Sequence, residues 1–305
     1  MIGFYKNRFK GFIISAAIML IGIVCIFING IKVDITFVGG SISKYSFEGT
    51  VDSAKAASVA KEAVGDREVS VQITKNENTG DKLVFNISGK KGLSSEQQKA
   101  ITDGLQKAFP DNKIELSESN NVEAFIGAKF LRNSSIAIIA AALLIVLYIC
   151  FRFRKISSVS LGVFAIVALL HDCLLVFFTF VIFRIPLNDA FIAVILTIVG
   201  YSINDTVIVY DRIRENSKLM NRSTPVEELV DTSVNQCLSR SINTSITTFV
   251  AILIILIFAL INGITSIVNF ALPMMVGIVS GCYSTLFIAA PLWAMWQKRK
   301  KNKRA

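Results

Sequence analysis

Residues 197–216 read "TIVGYSINDTVIVYDRIREN". As far as Tyr210 the stretch has the composition of a membrane helix, and beyond it the chain turns charged. Yet Asn204 and Asp205 sit side by side inside the apolar run, flanked by Ser202 and Thr206. An aspartate near the centre of a bilayer costs about 2.5–3.5 kcal/mol on insertion scales. If the helix leaves the membrane near Tyr210, Asp205 lies roughly 8 Å inside, at 1.5 Å per residue. Such a carboxylate faces a bundle interior, is protonated, or is paired. The fold must therefore supply neighbours for this helix.

The neighbours are visible as further apolar runs of membrane length, at 11–30, 134–151, 158–183, 187–210, 242–261 and 265–295. Of the 305 residues, 53% are hydrophobic, a share that together with these runs excludes an ordinary soluble domain. The formal charge of +10 is distributed by topology. Lys6, Arg8 and Lys10 precede the first run, Arg152, Arg154 and Lys155 follow the second, and Arg212, Arg214, Lys218, Arg222 and Arg240 lie between the fourth and fifth. The tail "QKRKKNKRA" is basic, while the short loops on the other side carry only Arg184. The positive-inside rule puts both termini in the cytoplasm, with the basic residues near anionic membrane lipids; no nucleic acid is called for. The first run is longer than a signal-peptide core and no small-residue cleavage site follows, so it reads as an uncleaved anchor. Cys25, Cys150, Cys173 and Cys282 lie in the runs and Cys237 in a cytoplasmic segment, which implies no disulfide framework. A single histidine and no C-x-x-C spacing argue against a metal site, and nothing points to a cofactor.

The chain divides accordingly: 1–30 as N-terminus and first span, 31–133 as an exported domain, 134–295 as spans two to six, and 296–305 as a cytoplasmic tail. In the exported part, "SKYSFEG", "EVSVQITKN", "DKLVFNISG" and "NKIELSES" read as strands, with a hairpin turn predicted at "NENTGD" (76–81). "TVDSAKAASVAKEAVG" and "LSSEQQKAITDGLQKAF" read as helices, capped by Asp52 or Ser53 and by Ser94 or Ser95. The order is βαββαβ, a split-βαβ, ferredoxin-like α+β domain. Near 211–241 the spacing of Val226, Leu229, Val230 and Val234 predicts an amphipathic helix lying on the cytoplasmic surface, with Ser223 or Thr224 as cap and Pro225 at its first position.

Three intramembrane features carry chemistry. The first is Asp205 with Asn204. The second is Arg240, at the cytoplasmic start of span five, whose long side chain makes it the partner expected for Asp205; the plainer reading is one more positive-inside residue. Ser241, Asn243, Thr244, Ser245, Thr247 and Thr248 beside it, with Gly200, Ser202 and Thr206 on span four, offer close packing and a polar path. The third is His171-Asp172 at the middle of span three, either a relay or a buried hydrogen-bonded pair. No phosphate loop, G-x-G-x-x-G or activated nucleophile appears, and Gly39-Gly40 marks only a close approach, so the chain is not read as an enzyme. Energy for any work must come from an ion gradient or a partner.

"GYSINDTVIVYDRIREN" (200–216) resembles the signature of the SecF family of bacterial protein-translocase subunits, with related patterns in SecD and, more distantly, in RND transporters. "ITFVGGS" (35–41), "LLHD" (169–172) and "NQCLSRSINTSITT" (235–248) match further family elements in order, so the resemblance covers the whole chain. The chain departs at "FVGG", where Asp34 stands three residues before Phe37 instead of directly before it. The resemblance implies six RND-type spans in the bacterial cytoplasmic membrane. It also implies work with SecD beside the SecYEG channel, drawing on a proton or sodium gradient to help a preprotein across. It assigns ion transport to Asp205 and Arg240. Two alternatives stay open from the residues alone: an RND-type half-transporter for small molecules or lipids, and a non-transporting membrane scaffold.

Overall fold

The structure is a computed structural model and describes residues 2–74, 81–89, 92–122, 124–153, 158–221 and 223–302. In chain order its elements are α1 (Arg8–Asn29), the single turn α2 (Ile35–Val38), β1 (Gly40–Ser46), α3 (Ser53–Val64), β2 (Val69–Thr74), β3 (Lys82–Ser88), α4 (Ser95–Ala108), β4 (Glu115–Val122), α5 (Ala124–Arg152), α6 (Ser158–Ile182), α7 (Asp189–Leu219), α8 (Val226–Ile261), α9 (Thr265–Ser284) and α10 (Ala290–Asn302). A π-helical turn, Thr285–Ala289, joins α9 to α10. The chain forms two compact units, one of Met1–Lys32, Ile136–Ile261 and Thr265–Ala305, the other of Val33–Ser135 with Asn262–Ile264.

Among the described residues six helices are long and apolar enough to cross a membrane: Arg8–Asn29, Arg132–Arg152, Val159–Ile182, Asp189–Leu219, Val226–Ile261 and Thr265–Asn302. α7 runs parallel to α9. Ile198 faces Gly277, Ser202 faces Gly281, and Thr206 bonds Thr285 at 2.8 Å, each pair one helical turn further on. The glycines remove the side chains that would hold the two helices apart, a G-x-x-x-G approach. α8 runs antiparallel to α7, with the Tyr201 hydroxyl donating to Ser245 Oγ at 3.2 Å and Cys237 Sγ lying 3.9 Å from the Ile208 carbonyl. α1 rests on α6, where Gly22 lies under the Phe178 ring.

One expectation is corrected. Among the described residues no separate surface helix occupies 211–241: α7 continues to Leu219, and α8 runs unbroken from Val226 to Ile261. The reason lies in the spacing. Val230, Val234, Cys237, Ser241 and Ser245 are all buried, so the predicted amphipathic stripe and the buried face of span five are one stripe. The start also differs, because the Pro225 carbonyl accepts from the Glu228 and Leu229 amides and so precedes the helix.

The second unit is a four-stranded antiparallel sheet of order β2-β3-β1-β4, with α3 and α4 packed together. Its core is Tyr45, Leu83, Phe85 and Ile87 from the strands with Ala56, Ala60, Ile101 and Leu105 from the helices, all fully buried. Alternation along β3 explains this, since only every second residue can face the helices. Asp52 caps α3 through the Ala54 amide, and Ser94 caps α4 in a reciprocal capping box with Gln97. The predicted hairpin turn, 76–81, lies outside the described residues except for Asp81. Gly40, at φ 150°, abuts the Ile87 carbonyl so closely that any side chain would strike it.

Phe85→Ala empties the centre of this core and should cost about 3–5 kcal/mol. Amide hydrogen exchange of β1 and β3 reads the effect; unchanged protection would contradict the packing described.

Candidate functional site

The polar residues of the membrane unit separate into two buried clusters and one exposed stripe. The first cluster centres on Asp172 of α6, which is 0% exposed. Its Oδ2 accepts from Ser202 Oγ of α7 at 2.6 Å and from Ser284 Oγ of α9 at 2.7 Å. Its Oδ1 accepts from Ser280 Oγ of α9 at 2.5 Å and lies 3.2 Å from His171 Nδ1. Three helices thus meet at one carboxylate. The close α7–α9 approach at Gly277 and Gly281 is what brings hydroxyls from both helices to it.

The second cluster lies one turn further along α7. Asp205 is 2% exposed and faces α8. Ser241 sits beside it, close enough to act on the carboxylate but without a well-formed hydrogen bond, and Asp205 Oδ2 and Ser241 Oγ are both buried with no other partner among the described residues. A buried carboxylate oxygen with no donor is costly. It marks a group whose charge or partners change during function.

Arg240 does not close onto Asp205 as expected. It acts on the carboxylate through charge alone, with no ion pair at contact distance between them among the described residues. Cys237, Ser241 and Ser245 take the buried positions on α8, and the helical period turns Arg240 to the exposed side. Asn243 and Thr247 are exposed on the same stripe, and Thr244 is half-buried. Thr244 and Thr247 are not interhelical glue either. Their hydroxyls bond back to the Arg240 and Asn243 carbonyls of their own helix, each at 2.9 Å. On α7, Asn204 and Gly200 are exposed as well, and with Leu144, Ile145 and Tyr148 of α5 they line a cleft of about 380 Å³. The structure therefore brings together Asp172, His171 and Ser202. It buries Asp205 and Thr206 nearby, and it leaves Asn204, Gly200, Arg240, Asn243 and Thr247 facing outward.

Ser280, Ser284 and Thr285 escaped the sequence reading, because serine and threonine do not interrupt an apolar run. The spacing of Gly277 and Gly281, with serines at 280 and 284, was the available signal. Among the described residues no group of three or more histidine, cysteine, aspartate or glutamate side chains is placed to hold a metal ion.

Residues 101–299 match the family described as protein export membrane protein SecD/SecF, C-terminal. The chain is 34% identical to the protein translocase subunit SecF of Alicyclobacillus acidocaldarius over 299 residues, covering 96% of this chain and 92% of that protein. It is 31% identical to SecF of Petrotoga mobilis, covering 100% and 99%. The crystal structure of SecDF, a translocon-associated membrane protein from Thermus thermophilus, superimposes with a TM-score of 0.78 at 30% identity. That match covers 97% of this chain and 39% of the longer SecDF chain.

Gly277→Leu would place a side chain within 2.5 Å of Ile198 and should cost about 1–3 kcal/mol in thermal unfolding of the detergent-solubilised chain. Gly200→Ala meets nothing within 4 Å and should leave stability unchanged or raise it by up to about 1 kcal/mol. Equal losses at the two positions would rule out the α7–α9 contact as the tight one.

Proposed function

The chain belongs to the SecD/SecF family of protein export membrane proteins, and we propose on that premise that it is the SecF-type subunit of a bacterial Sec translocase. It acts with SecD beside the SecYEG channel, in the cytoplasmic membrane with both termini inside, and uses an ion gradient to promote passage of a preprotein. The observation that carries this reading is the division of polar residues between inside and outside. Asp205 is buried with a carboxylate oxygen that has no hydrogen-bond partner among the described residues, while Asn204, Arg240 and Asn243 face away from the chain's own core. Polar side chains left against lipid inside a span are costly, and an arginine near a helix end avoids that cost only by reaching for the surface. A second membrane subunit covers them at no such cost. The SecDF protein, a longer chain with a region similar to this one, supports SecD as that subunit.

In this reading Asp205 takes up a proton from outside along the polar boundary between the two subunits. Loss of its charge weakens the pull of Arg240, α7 shifts against α8, and release of the proton inside restores the attraction. The exported domain follows the rearrangement and contacts the emerging polypeptide or its partner. Its strand order, β2-β3-β1-β4, supports the ferredoxin-like assignment. One charge crossing 100 mV supplies about 2.3 kcal/mol, enough to shift a two-state equilibrium about 50-fold. That bounds what a single ion can contribute to each cycle.

Asp205→Asn, expressed in cells depleted of the native subunit, should lower gradient-dependent export of a secretory protein to the depleted level, while co-purification with SecD persists. Full export by the assembled variant would favour a scaffold role. In parallel, Asn243→Leu should leave the isolated chain as stable as wild type yet weaken co-purification with SecD.

A further inference from the structure

The coupling scheme above leaves one buried carboxylate unused. Asp172 sits at mid-span, wholly enclosed, with four donors around its two oxygens. These donors solvate a negative charge without neutralising it. His171 Nδ1 lies 3.2 Å from Oδ1, and its Nε2 is buried without a hydrogen-bond partner among the described residues. An imidazolium would strand an N–H there, whereas a neutral ring donating Nδ1–H to Asp172 leaves only an idle acceptor. Within two helical turns of Asp172, Ser202 and Ser280 the other titratable groups are Cys173 on α6, Tyr201 and Asp205 on α7, and Cys282 and Tyr283 on α9, none of them a cation; the basic residues of these helices and of α1, namely Arg212, Arg214, Lys218, Arg8 and Lys10, lie toward the helix ends. An unneutralised carboxylate in the membrane interior is expensive even when fully hydrogen-bonded.

The cage also contains the parts needed to accept a neutral acid. Ser284 Oγ lies 2.7 Å from Asp172 Oδ2 and also 3.2 Å from the Gly281 carbonyl of its own helix. Its proton therefore has two acceptors within reach. With Asp172 ionised, Ser284 donates to the carboxylate. With Asp172 protonated, Ser284 can turn its hydrogen to the Gly281 carbonyl and accept the new Asp172 O–H on its freed lone pair. No donor or acceptor is stranded in either state.

We infer that Asp172, with Ser284 as a reorienting hydroxyl, is a second proton-binding station of the membrane unit. It lies toward the outer side of Asp205, separated by the three residues from Ser202 to Asp205, about 4.5 Å along α7. Its use in transport rests on the gradient-coupling reading above; proton binding itself does not. The step is a bare proton uptake: one O–H bond forms on Asp172, the Ser284 hydrogen changes acceptor, and no other bond is made or broken.

The test is infrared difference spectroscopy of the purified full-length chain between about pH 9 and pH 6, a window in which exposed carboxylates stay ionised. In an Asp205→Asn background, a protonated-carboxyl C=O band should appear at the lower pH. It should vanish on adding Asp172→Asn and shift in frequency on adding Ser284→Ala. Absence of the band, or its persistence in Asp172→Asn, overturns the proposal. If Asp172→Asn does not fold, a band unmoved by Ser284→Ala and by Ser202→Ala overturns it equally. A response to Na⁺ at fixed pH with no carboxyl band would assign the cage to an alkali ion and contradict the proton. Export by Asp205→Asn is a separate readout, so failure of the transport reading leaves this measurement interpretable.

Discussion

A carboxylate held in hydrocarbon must be met by donors, and two such groups organise the membrane unit. Asp172 is met completely: three serine hydroxyls and a histidine close on it from α6, α7 and α9. Remove the glycines at 277 and 281 and the serines of α9 no longer reach. The parallel α7–α9 packing, the buried hydroxyl pair Thr206–Thr285 and the π-helical turn just beyond Ser284 all lie within two turns of this junction. π-Helical turns concentrate where a helix gives up ideal geometry for function. Asp205, a turn away, is met incompletely: one of its oxygens has no hydrogen-bond partner among the described residues, whereas every donor around Asp172 is in place.

The outward stripe carries the same logic beyond this chain. Threonines that bond back to their own helix can face lipid at little cost. Exposed asparagines inside a span cannot. Their placement makes the lone chain incomplete as a membrane object and complete only beside a second one, as expected of a member of a family that includes longer SecDF chains.

Much of this was legible in the sequence. Six apolar runs marked the spanning helices, because hydrocarbon leaves the backbone little alternative to helix. Asp205 and His171-Asp172 announced themselves by their cost. Alternation in "DKLVFNIS" located β3 and the inward face carrying Phe85. What escaped notice did so for physical reasons. Helix phase decides whether Arg240 meets Asp205, and one residue of phase turns a side chain by about 100°. Continuity of α8 through 226–261 hid behind polar residues that resemble a linker, although the buried stripe never breaks. Serines 280 and 284 look like ordinary small residues until a carboxylate from another helix arrives, and that is a tertiary fact. The strand order is likewise long-range information that no local pattern holds.

The central claim is that the Asp205 carboxyl carries the ion. The most direct measurement is ion flux into vesicles holding this chain and its SecD partner, with an imposed membrane potential and an internal pH-sensitive dye. The account predicts an acidification that follows the potential, disappears in Asp205→Asn, and is spared by Gly200→Ala. Acidification of equal rate in Asp205→Asn, with both subunits present, would contradict it.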